Sequence, residues 1–295
     1  MSIYDFMLYF FVYGFAGWCT EVAYAAVKSH RFVNRGFLNG PICPIYGIGV
    51  GVVVQFLSPF KSSLILLYVA SVIIVTALEW VTGFILEKVF HNKWWDYSGM
   101  PLNLNGYVCL LFSLIWGAAC VVIVDFIHPL IEKVLHFLPQ VAGIVILLVL
   151  GAALFADLYV TVSGILKLNK RLESMETIAQ ELHNISEQLG ENIYKGMTET
   201  MEIQEEAKQK LDLAAQEQKA KLEEFKEQRE IIEKISEETK ERVRSLHNRY
   251  KELTSVSQSK VHRRLINAFP EMKSIRYSEA MKDLQEILTR RINKK

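Results

Sequence analysis

Residues 34–47, NRGFLNGPICPIYG, stand between two long apolar runs, and how they are read decides the fold. Two asparagines, an arginine, three glycines and two prolines fall within fourteen positions. A plain turn between two hydrophobic helices needs none of this. Irregular backbone at membrane depth is tolerated only where it is buried in protein or lines a cavity. Pro41 suits the first turn of a helix, where a missing N–H costs little, and Pro44 lies close to the same end. The string therefore predicts a loop folded into the mouth of a helical bundle, where its polar groups hold a pocket.

The regions on either side fit that expectation. The chain has 295 residues and a formal charge of +1, an average over two unlike parts. Residues 1–166 carry only seven Lys/Arg and eight Asp/Glu, which leaves 26 basic and 24 acidic side chains for the last 129 residues. Such asymmetry implies two regions in different solvents. The tail's charges are interleaved in sign, which argues against nucleic acid as a partner.

About 20 apolar residues cross roughly 30 Å of hydrocarbon. Five stretches qualify as candidates, at about 3–27, 41–57, 64–86, 107–127 and 141–166, the second being the shortest. The first run lacks a basic leader and a small-residue cleavage site, so it reads as a transmembrane helix rather than a signal peptide. Loop 28–40 carries Lys28, Arg31 and Arg35, and loop 87–106 carries Lys88 and Lys93, against single lysines in the other two loops. Basic loops stay cytoplasmic. The expected topology is a multi-pass cell-membrane protein with its N-terminus outside and its tail in the cytoplasm.

The expected fold class is all-α, with about five transmembrane helices in 1–166, a coiled-coil tail in 167–266 and a short helical segment in 267–295. One imperfect heptad register runs from Leu168 through Leu172, Met175, Ala179, Leu182, Leu189 and Ile193. Another runs through Leu222, Phe225, Ile232, Val243, Leu246, Tyr250 and Leu253. The NAFP string at 267–270 ends the coil, and 277–292 reads as one more helix. Such a tail implies a homo-oligomer or a partner helix, with its size unspecified.

The informative side chains are the acids inside the spans. Glu21 and Glu79 each lie six or seven residues before the cytoplasmic end of an apolar run, on faces that also carry glycine. That puts both about 10 Å below one surface at about 1.5 Å per residue. Each ionisable group in a span costs roughly 2.5–3.5 kcal/mol on the lenient insertion scale and needs a partner or a role. The opening string offers Asn34, Arg35 and Tyr46, with Arg35 as counter-charge. The second loop, WWDYSGMPLNLNG at 94–106, offers Trp95, Asp96, Asn103 and Asn105. These nine residues form the candidate substrate site. Under the plain alternative, Glu21–Arg35 only fixes helix order, and Trp94 and Trp95 are interfacial belt residues. Asp157 is either a pocket or a packing residue, and Asp125 and His128 are expected to reach water at the far boundary.

Four separated cysteines make neither a zinc pattern nor a disulfide framework. No metal, cofactor or catalytic residue is assigned. The strings GFAGWCTEV (14–22), NRGFLNGPICPIYGIG (34–49), ALEWVTGFILEKVF (77–90) and WWDYSGMPLNLNGYVCLLFSLIWG (94–117) resemble the type IV ABC-transporter permease family over about residues 1–165. That resemblance implies a membrane subunit driven by a separate ATP-binding subunit. The chain has no G-x-x-x-x-G-K-[ST] phosphate loop of its own. Two other classes compete with transport. One is a membrane-anchored scaffold or sensor that oligomerises through the tail. The other is a membrane-embedded enzyme acting on lipid head groups, against which stands the lack of any nucleophile–base pair or metal motif.

Overall fold

The computed structural model describes residues 2–209, 237–254 and 260–292. The chain divides into two compact units, Met1–Lys170 with Gln258–Lys295, and Arg171–Ser257. Composition puts boundaries at 166 and 266, but the final segment belongs to the same unit as the apolar helices.

The first unit opens with α1 (Ile3–Ser29), started by a Ser2/Asp5 capping box and stopped by His30 in the left-handed region. The stop is repeated in α3 (Leu64–Phe90), where Ser63 caps the start and His91 takes the left-handed turn. Each has 27 residues, about 40 Å at about 1.5 Å per residue, enough to cross a bilayer. Then come α4 (Leu110–Val122), a π-helical turn at Ile123–Ile127, α5 (His128–His136) and the long α6 (Gln140–Gln209). Among the described residues, four helical stretches are long and apolar enough to span: Ile3–Ser29, Leu64–Phe90, Leu110–His136 and Gln140–Glu191.

The second of the five candidate spans falls short of that length. It is α2 (Pro44–Leu57), 14 residues extended by a 3-10 turn to Phe60. The chain ahead of it is not helical, because the prolines and glycines of 34–44 hold it open. That lead-in returns alongside α1, and the Cys43 N–H donates to the Gly14 carbonyl at 2.9 Å, fifteen residues below Ser29. From there α2 runs antiparallel to α1. A Cβ on Gly47 would land on the Phe10 carbonyl oxygen, and one on Gly51 would meet the Phe6 ring at 2.7 Å. Backbones pressed this close are how helices hold together in hydrocarbon, where exclusion of water supplies no force.

Tyr9, Tyr13, Val50, Val53, Val54, Leu57, Leu67, Cys120 and Val124 make one core between α1, α2, α3, α4 and the π turn. His128 belongs to it and not to water: it is 5% exposed, and its Nδ1 pairs with the Tyr13 hydroxyl at 3.0 Å. The π turn and Pro129 sit at this point, and the side chain is turned into the bundle.

After the second unit the chain rejoins the first. Helix α8 (Lys260–Ala268) and α9 (Ser278–Ile292), which covers the stretch read as a last helix, flank β4 (Lys273–Ser274). Strand β4 pairs antiparallel with β1 (Asn92–Lys93), while β2 (Asn103–Leu104) and β3 (Val108–Cys109) form a hairpin ahead of α4. Phe269 meets Trp94 edge-on at 5.0 Å, and His262 Nε2 contacts the Gly164 carbonyl at 2.9 Å.

In the second unit, α6 packs against α7 (237–254) through Ile178, Leu182, Ile185, Val243, Leu246, Tyr250 and Leu253. Val243, Leu246, Tyr250 and Leu253 keep the expected register. On α6 the buried residues are Ile178 and Ile185, one position ahead of the Ala179 and Ser186 of a strict heptad. This core is made within one chain, and Arg242 clamps Glu181 across it with Nε at 3.1 Å and Nη2 at 2.6 Å. Leu222, Phe225 and Ile232 lie outside the described residues.

Candidate functional site: a polar cluster between the helices

Helix α1 carries Glu21, and the first turn of α2 brings Tyr46 across it. The Tyr46 ring lies over Gly17, where a side chain would occupy the same space. Its hydroxyl donates to Glu21 Oε1 at 2.7 Å. Arg35, from the lead-in, places Nε 3.4 Å from Glu21 Oε2 and stacks its guanidinium 5.4 Å from the Tyr24 ring centre. Trp116 of α4 closes on Tyr46 edge-on at 5.7 Å. The counter-charge expected of Arg35 thus falls on Glu21.

Glu79 differs. It makes no hydrogen bond or ion pair with the described residues, and its Oε2 is fully buried without a partner. It lies within electrostatic range of Tyr46 and Tyr97, both of which also feel Glu21. Because α1 and α3 run on to Ser29 and Phe90, Glu21 and Glu79 sit eight and eleven residues from the helix ends. Measured along each helix from its end, the two acids differ by three residues, about 4–5 Å at about 1.5 Å per residue.

The other predicted residues build the loops. Asn34 accepts from Trp18 Nε1 at 2.8 Å and from the Gly36 N–H at 3.0 Å, and donates to the Asn39 carbonyl at 2.8 Å. Trp95 donates through Nε1 to the Tyr107 carbonyl at 2.7 Å. Trp94, read alternatively as a belt residue, is buried among Phe37, Phe90 and Phe269. Asn103 ties the β2–β3 hairpin by donating to the Met100 carbonyl and accepting from the Gly106 N–H. Asn105 is exposed at the tip of that turn, with φ of 57° and its carbonyl accepting from Lys93 Nζ at 3.2 Å. Asp96 accepts from Lys273 Nζ at 2.7 Å and from the Ser98 hydroxyl and N–H. The Lys273 hydrogen bond, then those of Ser98, hold its carboxyl well below the ordinary carboxylate range.

Three residues outside the predicted set hold the lead-in. Asp157 of α6 accepts from the backbone N–H of Asn39 at 3.1 Å and of Gly40 at 2.6 Å, and from the Asn39 amide at 2.7 Å. Thr161 adds a contact to the same amide at 3.0 Å. Arg264 of α8 donates to Asn39 Oδ1, the Gly36 carbonyl and the Phe37 carbonyl at 2.7–2.9 Å. Asp157 stood out in sequence as an acid inside a span, whereas Arg264 carried no signal in a tail dense with charge.

A further acid constellation lies outside the nine predicted residues. On α3 the Tyr107 ring lies over Gly83 within electrostatic range of Glu87, and Lys93 approaches Glu87 Oε2, buried without a hydrogen-bond partner, at 3.9 Å. Among the described residues, no group of three or more His, Cys, Asp and Glu is placed to hold a metal ion. An apolar cavity of about 780 Å³ opens between α3, α4 and the hairpin, lined by Ile73, Ala77, Trp80, Leu104, Asn105 and Val108.

Apolar helices of spanning length around a buried polar cluster define a polytopic membrane protein. The family profile described as "Putative ABC-transporter type IV" matches residues 8–162. The chain belongs to this family, and the match spans α1 to α5 and the part of α6 that carries Asp157 and Thr161. No curated protein and no solved structure matches it.

Proposed function

We propose that the chain is the permease-type subunit of a transporter, and that the cluster of Glu21, Arg35, Tyr46 and Glu79 is where a small polar solute or ion is handled. The observation that carries this reading is the unpartnered Glu79 carboxylate beside a paired Glu21, within a helix bundle of a transporter family. Ionisable groups are costly inside a membrane and persist mainly for pathways and coupling. Non-helical segments beside such groups, as at 34–43, are typical of transport sites. Asn34, Trp95, Asp96, Asn103 and Asn105 serve this site by shaping its two loops.

The lead-in and α2 together cross the bilayer as a broken span, which makes five crossings with the N-terminus outside and the tail in the cytoplasm. The basic loops 28–40 and 87–106 support that orientation. Energy comes from a separate ATP-binding subunit, since no phosphate-loop motif occurs here. The second unit, with its intrachain core, is the arm through which the complex assembles.

Purification from native membranes in mild detergent, followed by mass spectrometry, tests the reading. A stoichiometric ATP-binding subunit, whose ATP hydrolysis in vesicles falls at least tenfold with Glu79→Gln while the complex stays intact, is the expected result. Recovery of this chain alone, or with only a soluble protein that binds no ATP, refutes it and favours the scaffold.

A further inference from the structure

The apolar half of the chain contains the same unit twice. Shifted by 66 positions and without a gap, residues 17–51 match 83–117 at Gly17/Gly83, Glu21/Glu87, Leu38-Asn39-Gly40/Leu104-Asn105-Gly106, Cys43/Cys109 and Gly51/Gly117. The fold repeats with the sequence. In each half a 27-residue helix packs antiparallel on a helix entered through an extended cysteine. The contact of Gly51 with Phe6 recurs as Gly117 with Val72, also 66 positions on.

The acid sites repeat as well. Each half has Gly-x-x-x-Glu on its long helix, a tyrosine ring over the glycine and in electrostatic range of that glutamate, and a loop cation within 4 Å of it; the tyrosine hydroxyl donates to the glutamate in the first half. The cation also faces a tyrosine ring in both, Arg35 over Tyr24 and Lys93 over Tyr107, each at 5.4 Å. The tyrosines come from different positions, Tyr46 inside α2 and Tyr107 before α4. Tyr107 closes the Asn-Gly turn by donating its N–H to the Leu104 carbonyl. Pro41 at the matching position has no N–H to do so, and there the Asn39 and Gly40 N–H groups donate to Asp157.

A constellation present in both halves, with one glutamate against one cation, is charge-balanced and belongs to the shared architecture. Subtracting it leaves one acid over. Glu79 has no acidic counterpart: 66 positions earlier stands Tyr13, whose hydroxyl is taken up by His128. The set Glu21, Arg35 and Glu79 therefore holds two carboxyl groups against one cation; Glu79 Oε2, like Glu87 Oε2, is buried without a hydrogen-bond partner, but Glu87 has Lys93 at 3.9 Å and Glu79 has no ion pair among the described residues.

We propose that Glu79 is the ligand-binding group of the membrane domain and that its ligand carries a single positive charge, either a proton or a monovalent metal cation. Glu21–Arg35 and Glu87–Lys93 are the positioning pairs of the two halves. The charged and titratable neighbours of the site are Glu21 from α1, Arg35 and Cys43 from the lead-in, Tyr46 from α2, and Tyr97 and Cys109 from the second loop. This deepens the transport reading and rests on it for what the binding event achieves.

Infrared difference spectra of the full-length protein in detergent test the assignment. One arm steps from about pH 8 to about pH 5 at fixed Na⁺. The other replaces N-methylglucamine with Na⁺ at fixed pH. The expected result is a carboxyl signal in at least one arm that is lost in Glu79→Gln and kept in Glu87→Gln and Glu21→Gln, with Glu87→Gln sufficient if Glu21→Gln does not fold. A signal in the pH arm alone identifies the ligand as a proton, and one in the Na⁺ arm as a metal cation. No signal in the parent protein, or one that survives in Glu79→Gln, overturns the proposal. Flux that fails while the signal persists refutes transport and leaves the site, whereas intact flux without the signal does the opposite.

Discussion

Asp157 and Asn39, 118 residues apart, are joined by two hydrogen bonds: Asp157 Oδ1 accepts from both the backbone N–H and the side-chain amide of Asn39. Through Oδ2 the same carboxylate takes the Gly40 N–H. These backbone donors of the non-helical lead-in are thereby satisfied by a side chain. Thr161 and Arg264 bond the same lead-in, so three side chains hold it.

Replacing Asp157 with Ala orphans these donors, at about 1–3 kcal/mol for each that stays buried. The lead-in should loosen, and Cys43, 5% exposed, should become reactive to a maleimide. In a Cys19→Ser background, which removes the exposed thiol, labelling is expected to rise severalfold while Cys109 and Cys120 stay protected. Unchanged Cys43 labelling would show that α2 alone holds the segment.

Arg264→Ala removes three hydrogen bonds to Gly36, Phe37 and Asn39. Limited proteolysis should then cut within 260–292 at least several times faster than in the parent. Arg264→Lys should rescue only in part, because a lysine cannot reproduce the planar fork.

Gly47→Ala sets a methyl group against the Phe10 carbonyl oxygen, a backbone atom that cannot turn aside. A loss of roughly 1–3 kcal/mol is expected from such overpacking, read as a lower melting temperature in micelles. Gly49→Ala, whose added carbon meets nothing within 4 Å, should be neutral and serves as the control.

The Asp96–Lys273 bridge gives a pH dependence with a definite sign. Asp96 is held below its ordinary value in the folded chain, so its contribution is present above the unfolded pKa of about 3.9 and is lost as pH falls through the folded one. From about pH 5 to about pH 8 the bridge should therefore contribute a constant amount, no more than about 1 kcal/mol because Lys273 is largely exposed. Asp96→Asn should lower the melting temperature equally across that window. A parent-to-variant difference that grows between those pH values would contradict the assignment.

Helix positions were legible because apolar length and terminal residues are local properties: α1 and α3 extend past the apolar runs only to the histidines that cap them. The second candidate span was misjudged in form: the chain is not helical before Pro44, although the composition of 41–57 is apolar. Of the nine candidate site residues, Glu21, Arg35 and Tyr46 come into contact and Glu79 stands near them. Asn34, Trp95 and Asn103 turn their hydrogen bonds on the loops, because an amide or indole near a tight turn meets backbone groups first.

The sequence by itself determined the apolar helices, the acids within them and the doubled Gly-x-x-x-Glu pattern, since each depends on spacing along one segment. Only the tertiary structure decided that Arg35 answers Glu21, that Asp157 and Arg264 grip the same loop, and that Glu79 is left unpaired. Charges act over a few ångströms of space whatever their distance along the chain, so which acid finds a partner is a property of the packed bundle and not of any single stretch of it.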